Sequence, residues 1–227
     1  MSASEVETRP AGFAPEPGIG LPLAIGAFGF AVLMLGLADA RVFSPAAGGI
    51  FVPVAFGTGA FGLGIGGLWE FRANNTFGGT FALFYSAFLL TTGLMLKVFQ
   101  PGIVDASSQA AFNDAFGAWL ILWCIFTFML SVGAYHINMP AFVAFVLLAV
   151  PYGILGIASI SAPGDLSDTL TKIGGWVLIV DGATAWYLAW ALAVNSFIGD
   201  RLPLWPYPYT RKAAAPPPVT SKPAAAL

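Results

Sequence analysis

Long apolar stretches alternate with short polar linkers along this chain. Six of the stretches come close to the roughly 20 residues that a helix needs to cross the ~30 Å hydrocarbon core of a bilayer. A helix satisfies its own backbone hydrogen bonds where no water is present, so the pattern predicts an all-α integral membrane protein with six transmembrane helices. The predicted spans are Leu21 to Ala38, Ile50 to Trp69, Gly78 to Phe99, Phe116 to Tyr135, Ala141 to Ile160 and Ile173 to Phe197.

The segments outside the spans predict three regions: a flexible N-terminal tail at 1–19, a six-helix domain at 20–200, and a Pro/Ala-rich C-terminal tail at 201–227. The first residues lack the basic region and short apolar core of a signal peptide, which fits a bacterial inner-membrane protein. With the N-terminus inside, six Lys and Arg residues lie on the cytoplasmic side and three outside. This bias predicts that both termini are cytoplasmic.

Composition agrees with a membrane protein and excludes several other classes. Hydrophobic residues make up 58% of the chain and charged residues only 9%, against about 25% charged residues in an ordinary soluble domain. The net charge of -2 provides no basic surface for nucleic acid. One cysteine, one histidine and the absence of hydrolase or nucleotide-binding motifs indicate no metal site, no cofactor and no enzymatic activity.

A short stretch after the second span carries a recognisable signature. Residues 67 to 85 read GLWEFRANNTFGGTFALFY, and this closely resembles the signature of the acetate uptake transporter family, also called Gpr1/Fun34/YaaH. An acidic and an aromatic residue precede an Asn-Thr-Phe-Gly string, here Glu70, Phe71 and residues 75–78. The resemblance continues through 122–133 and 175–190 and covers roughly 22–203. The family's Asn-Pro-Ala-Pro string is reduced here to Ile19, Gly20, Leu21 and Pro22.

The resemblance implies a fold and a function beyond what composition supplies. It implies a six-helix subunit, assembly into a homohexameric ring with one path through each protomer, and passage of acetate or succinate. It also implies that the path narrows at an aromatic, a tyrosine and an aliphatic residue, which correspond to Phe28, Tyr85 and Leu148. Phe28 and Tyr85 each lie about seven residues into their spans, or roughly 10 Å deep. We expect their helices to begin at opposite faces of the membrane, which would bring the two rings together near mid-depth.

Polar residues near the signature are candidates for the substrate path. Asn75 and Thr76 lie at the start of the third span, where unpaired N–H groups and the positive end of the helix dipole favour an anion. A plain helix cap explains the same two residues equally well. Glu70 is interpreted most simply as a surface charge paired with Arg72, and a part in organising the loop is the functional alternative.

Asp181 is the only carboxylate inside a predicted span. A charge at the centre of a bilayer costs several kcal/mol unless it is paired, protonated or hydrated. The resembling family carries a small or uncharged residue at this position, so Asp181 is a departure. We therefore expect Asp181 to face the aqueous path or a subunit contact, with a share of the carboxyl protonated and proton movement coupled to the anion.

The second span contains glycines at Gly62 and Gly66 in the GxxxG spacing, which lets helix backbones approach closely. Packing within one subunit, contact between subunits and a wall of the path are all compatible with this spacing.

Three functions remain open from the sequence. The first is a channel or proton-linked transporter for acetate and related short monocarboxylates. The second is a pore for a neutral solute such as ammonia or undissociated acetic acid. The third is a membrane protein that binds acetate without conducting it. The expected partners are the carboxylate, the lipid bilayer, other copies of the chain and, for a symporter, protons.

Overall fold

The computed structural model describes residues 19–205, and six helices in this region are long and apolar enough to cross a membrane. No strand occurs in the described region. The six-helix prediction is therefore confirmed, while almost all of both predicted tails lies outside the described residues. The helices are α1 Leu21–Asp39, α2 Ala46–Arg72, α3 Thr76–Ala106, α4 Gln109–Tyr135, α5 Met139–Ile160 and α6 Asp165–Ile198.

Several helices extend beyond the apolar stretches that predicted them. The helix α4 begins at Gln109 because the Ser108 side chain accepts a hydrogen bond from the Ala111 N–H and caps the first turn. The Asn138 side chain caps α5 in the same way, next to Pro140 in the first turn. Hydropathy marks only the part of a helix in lipid, whereas capping groups mark where the helix itself begins.

The six helices form a circle in which neighbours in the sequence pack closely against each other, except for the pair α3 and α4. Contacts run from α1 to α2, α2 to α3, α4 to α5, α5 to α6, and from α6 back to α1. Between α3 and α4 the backbones stand further apart, and large side chains fill the gap. The Phe88 ring stacks on Trp119 and contacts Trp123, and the Trp119 indole donates a hydrogen bond to Thr92.

The outer surface of this circle is apolar, as a bilayer requires. Large side chains that point outward include Phe61 (69% exposed), Leu122 (64%), Met129 (67%) and Phe197 (76%). In water such a surface would favour aggregation, whereas in lipid it has no unfavourable hydration. The protein is therefore a multi-pass membrane protein, and polar contacts inside the circle are the ones that need explanation.

Glycines bring α1 and α2 into close contact inside the subunit. A Cβ atom placed on Gly62 would lie 2.3 Å from the Cβ of Ala27, and one on Gly66 would lie 2.7 Å from the Cβ of Ala24. Both distances are far below van der Waals contact. The structure therefore assigns the GxxxG pair to packing within one subunit.

Substitution of Gly66 by alanine is expected to destabilise the protein by about 1–3 kcal/mol, because the added methyl group must displace the α1 backbone. The matched control is Gly57→Ala in the same helix, where a Cβ would have no neighbour within 4 Å. Thermal unfolding in detergent measures both variants. Equal melting temperatures for the two variants would contradict the assignment of Gly66 to the α1–α2 contact.

Candidate functional site

An apolar cavity lies inside one end of the helix circle, at the end where α1 begins and α6 ends. Its volume is about 60 Å³. One water molecule needs roughly 10–15 Å³ of cavity volume, so this cavity accommodates a molecule of about four to six heavy atoms. The lining comes from α1, α3, α5 and α6 and consists mainly of aromatic and aliphatic side chains: Leu21, Ile25, Phe28, Phe77, Phe81, Tyr85, Phe145, Leu148, Ala185, Leu188 and Leu192.

A second and wider cavity opens at the other end of the bundle. We call it the polar vestibule, and its volume is about 540 Å³. Unlike the apolar cavity, it carries many side chains that can bind water. They are Asp39, Thr92, Asn113, Tyr152, Ser159, Ser161, Ser167, Asp168 and Thr171. At its rim the Arg41 guanidinium pairs with Asp168 at 3.2 Å.

A layer of five side chains, which we call the neck, separates the two cavities. Phe28, Tyr85 and Leu148 line the apolar cavity, and Phe88 and Tyr152 line the vestibule. The rings are in contact: Phe28 with Tyr85 (centroids 5.6 Å apart), Tyr85 with Phe88 (6.4 Å) and Phe88 with Tyr152 (5.0 Å). All five are nearly inaccessible to solvent. The bundle is therefore closed in this structure.

The structure thus brings together all three residues predicted for the constriction, although one geometric expectation was wrong. The start of α1 lies beside the start of α3, because Glu70, in the last turn of α2, accepts hydrogen bonds from the N–H groups of Gly20 and Leu21 and from the amide of Asn75, the cap of α3. Phe28 and Tyr85 therefore enter from the same end of the bundle. The chain crosses the membrane twice between the start of α1 and the start of α3, so both helices begin on the same side.

The hydroxyl group of Tyr85 is engaged inside the protein. It lies 2.6 Å from the hydroxyl of Thr127 on α4, and Thr127 is completely buried. The ring itself contacts Trp123 at 5.4 Å between centroids. The phenol is therefore held in position from two sides, and its hydroxyl, which can both donate and accept, keeps the capacity to bind a second polar group.

Glu70 is not a surface charge paired with Arg72, and that interpretation was wrong. The side chain is only 3% exposed. Its Oε1 atom accepts hydrogen bonds from the N–H groups of Gly20 (2.7 Å) and Leu21 (2.8 Å), and Oε2 accepts one from the Asn75 amide. A carboxylate at the start of a helix compensates unpaired N–H groups and the positive end of the dipole. Arg72 instead lies over the Trp69 ring.

Asn75 acts as the cap of α3. Its Oδ1 atom accepts from the Gly78 N–H at 3.0 Å, while its amide group donates to Glu70. Thr76 is the first residue of the helix, and its side chain is exposed. Glu70, Asn75 and Thr76 form one cluster at the end of the bundle next to the apolar cavity, but none of them belongs to the described lining of either cavity.

Asp181 lies on α6 at the level of the neck. It is four residues, or about one helical turn, from the cavity-lining Ala185. The side chain is 0% exposed, and neither of its oxygens has a hydrogen-bond partner among residues 19–205. It interacts electrostatically with Tyr85 and Tyr152. It therefore points into the helix circle, towards the neck.

Sequence reasoning missed Phe88, Trp123 and Thr127, which complete the surroundings of Tyr85. Phe88 and Trp123 stand among many aromatic residues in apolar stretches, so no sequence signal separates them from lipid-facing rings. Tyr152 had a weak signal, because it follows Pro151, which interrupts the hydrogen bonding of α5. Within the described part of the chain no group of three His, Cys, Asp or Glu residues has a metal-binding arrangement.

Comparison with known proteins gives consistent results. The family model described as "GPR1/FUN34/yaaH family" matches residues 13–202. The Saccharomyces cerevisiae "Ammonia transport outward protein 2" is 34% identical over 179 residues, covering 75% of this chain and 59% of that protein. The Escherichia coli "Succinate-acetate/proton symporter SatP" is 29% identical over 178 residues, covering 78% of this chain and 89% of that protein.

A solved structure is also similar. It is described as the bacterial acetate channel SatP and matches with a TM-score of 0.73 and 28% identity, covering 82% of this chain and 98% of that one. The chain spans about three fifths of the length of the yeast relatives that it matches.

Proposed function

Because this chain belongs to the GPR1/FUN34/yaaH family, we propose that it carries acetate and related short monocarboxylates across a membrane. The observation that carries the proposal is the axial series of apolar cavity, neck and polar vestibule inside a single subunit. The relatives named as a succinate-acetate/proton symporter and an acetate channel support the substrate class. Succinate is a further candidate substrate.

The chemistry of the proposed path suits a small acid. The apolar cavity accommodates the four heavy atoms of acetate and offers its methyl group aromatic and aliphatic contacts. Phe28, Tyr85 and Leu148 form the constriction, and the Tyr85 hydroxyl supplies one hydrogen bond in place of water. Glu70 and Asn75 hold the start of α1 against the start of α3 beside the cavity, and Thr76 follows as the first residue of α3, so all three belong to the mouth of the proposed path.

Orientation and assembly belong to the same proposal. Both ends of the described chain lie at the apolar-cavity end, because six crossings separate them. We place this end in the cytoplasm of a bacterial inner membrane and the vestibule outside. The homohexameric ring has one path in each protomer. No covalent chemistry is needed for this function.

Uptake of labelled acetate into liposomes that contain the purified protein tests the function. Saturable uptake above that of empty liposomes, reduced by unlabelled acetate anion, is expected. Binding of acetate without uptake would instead favour a non-conducting acetate-binding protein. Ammonia flux without acetate flux would favour the neutral-solute pore, to which the name of the yeast relative points.

Filling the apolar cavity is expected to block this uptake. Ala185 lines the cavity and is 1% exposed, so Ala185→Leu places three extra carbon atoms in the space for the substrate. We expect at least about a tenfold loss of initial uptake rate, equivalent to ~1.4 kcal/mol in the barrier. The matched control is Ala183→Leu, two residues away on the exposed side of α6. Equal uptake by the two folded variants would show that the cavity is not on the path.

A further inference from the structure

The carboxyl group of Asp181 is buried in an unusual environment. Both oxygens are inaccessible and have no hydrogen-bond partner among residues 19–205. The basic residues in this part of the chain lie towards the helix ends or in the linkers: Arg41, Arg72, Lys97, His136, Lys172 and Arg201. Within the described part of the chain, no cation therefore compensates a negative charge at this depth.

An ionised carboxylate in this place would be strongly unfavourable. Moving an unpaired carboxylate out of water costs several kcal/mol even after the protein relaxes. A neutral carboxyl group avoids that cost and loses only its hydrogen bonds. The closed neck is therefore compatible with Asp181 in its protonated form.

Few titratable groups face Asp181 from the elements around it. The helices packed against α6 are α1 and α5, whose only titratable residues are Asp39 at the end of α1 and Tyr152 on α5. Tyr85 on α3 also interacts with the carboxyl electrostatically. The two tyrosines are neutral, and Asp39 lies at the vestibule. Protonation of Asp181 is therefore controlled by its access to water and not by a charged partner.

Only one of the two cavities beside the neck carries many groups that hold water. Tyr152 lines the polar vestibule and interacts electrostatically with Asp181. Asp39 and Thr171 line the same vestibule, on the two helices that pack together beside Asp181. The other side of the neck opens into the apolar cavity, whose lining offers little to hold water. The vestibule is therefore the side that can supply a proton to Asp181.

We propose that Asp181 is the proton-binding site of the neck, loaded from the polar vestibule past Tyr152 and emptied towards the apolar cavity when the neck opens for substrate. This inference rests on the proposed function. One Asp181 oxygen binds a proton from vestibule water and keeps it while the neck is closed. As the neck opens, water reaches the carboxyl group of Asp181. The same proton then leaves together with acetate towards the apolar cavity.

Two measurements on wild type and on Asp181→Asn test the proposal. The first is infrared spectroscopy at about pH 9, where carboxyl groups that reach water are ionised. We expect the wild type to show the C=O stretch of a protonated carboxyl group, sensitive to deuterium exchange, and Asp181→Asn to lack it. Asp39→Asn serves as the matched carboxylate control and is expected to retain the band. Absence of the band in wild type, or its persistence in Asp181→Asn, would overturn the proposal.

The second measurement is the initial rate of acetate uptake into liposomes, with and without an inward gradient of about one pH unit. Asp181 binds its next proton at a rate set by the proton concentration in the vestibule. The wild-type rate of acetate uptake is therefore expected to rise by up to about tenfold with the gradient. Asp181→Asn is expected to conduct acetate with a stimulation close to onefold. Undiminished stimulation in this variant would overturn the proposal.

The two measurements separate the two hypotheses. If wild type takes up no acetate, the proposed function fails, while the infrared band still decides whether Asp181 holds a proton. If acetate uptake is normal and the band is missing, the function stands and the proton site is wrong. Both variants are close to isosteric with aspartate, and their melting temperatures report whether they fold.

Discussion

Replacement of Tyr85 by alanine is expected to open the neck and to raise the rate of acetate leak by about tenfold. This change corresponds to a transport barrier that is ~1.4 kcal/mol lower. The phenol ring contacts Phe28, Phe88 and Trp123 and is 2% exposed. An apolar constriction excludes water and ions by dewetting. Without the ring, the space between the apolar cavity and the vestibule can fill with water. The measurement is the initial rate of acetate uptake without a proton gradient.

Two further variants make this result interpretable. Tyr85→Phe keeps the ring and loses only the hydrogen bond to Thr127, so its leak is expected to stay within about threefold of wild type, or under 1 kcal/mol. Phe84→Ala removes the neighbouring ring on the same helix, which is 48% exposed, and is expected to leave the leak unchanged. If Tyr85→Ala folded and leaked no more than Phe84→Ala, the neck could not be the barrier of the path.

Replacement of Glu70 by alanine is expected to give the largest loss of stability, about 3–5 kcal/mol. The substitution leaves the Gly20 and Leu21 N–H groups without their acceptor and removes the partner of the Asn75 amide. Each hydrogen bond to a charged group contributes roughly 1.5–3 kcal/mol, and a buried donor left unpaired costs a similar amount. Thermal unfolding in detergent measures the loss.

The control for Glu70 is its neighbour in sequence, Arg72→Ala. Arg72 is exposed and contacts the Trp69 ring, so its loss is expected to cost under about 1 kcal/mol. Glu70→Gln is expected to be intermediate, because the amide oxygen still accepts from the α1 backbone while its NH₂ group faces the Asn75 donor. A stability of Glu70→Ala equal to that of Arg72→Ala would restore the interpretation of Glu70 as a surface charge.

The fold was predictable from the sequence because a bilayer permits so few solutions. Every backbone polar group in lipid needs an internal partner, so a stretch such as Ala141 to Ile160 has to become a helix. The same argument placed all six spans, and the observed helices differ mainly at their ends. Ser108 and Asn138 set two of those ends through single hydrogen bonds, which hydropathy does not register.

The candidate site was predictable only in part. The family resemblance correctly indicated that Phe28, Tyr85 and Leu148 come together, and the structure places them on one cavity wall. Their role as the constriction of a path stays a prediction. The expected pairing of Glu70 with Arg72 was wrong because neighbours in the sequence are the partners easiest to see. The true partners of Glu70 lie 49 and 50 residues away.

The sequence by itself determined that the chain crosses the membrane six times, where each crossing lies, and which family signature it carries. Only the tertiary structure decided which face of each helix points inward. Membrane helices are apolar on all sides, so periodicity cannot separate a lipid-facing ring such as Phe84 from an inward-facing one such as Tyr85. The structure shows the inward faces because the six helices pack into a circle. The side chains that meet inside this circle, Asp181 among them, come from helices far apart in the sequence.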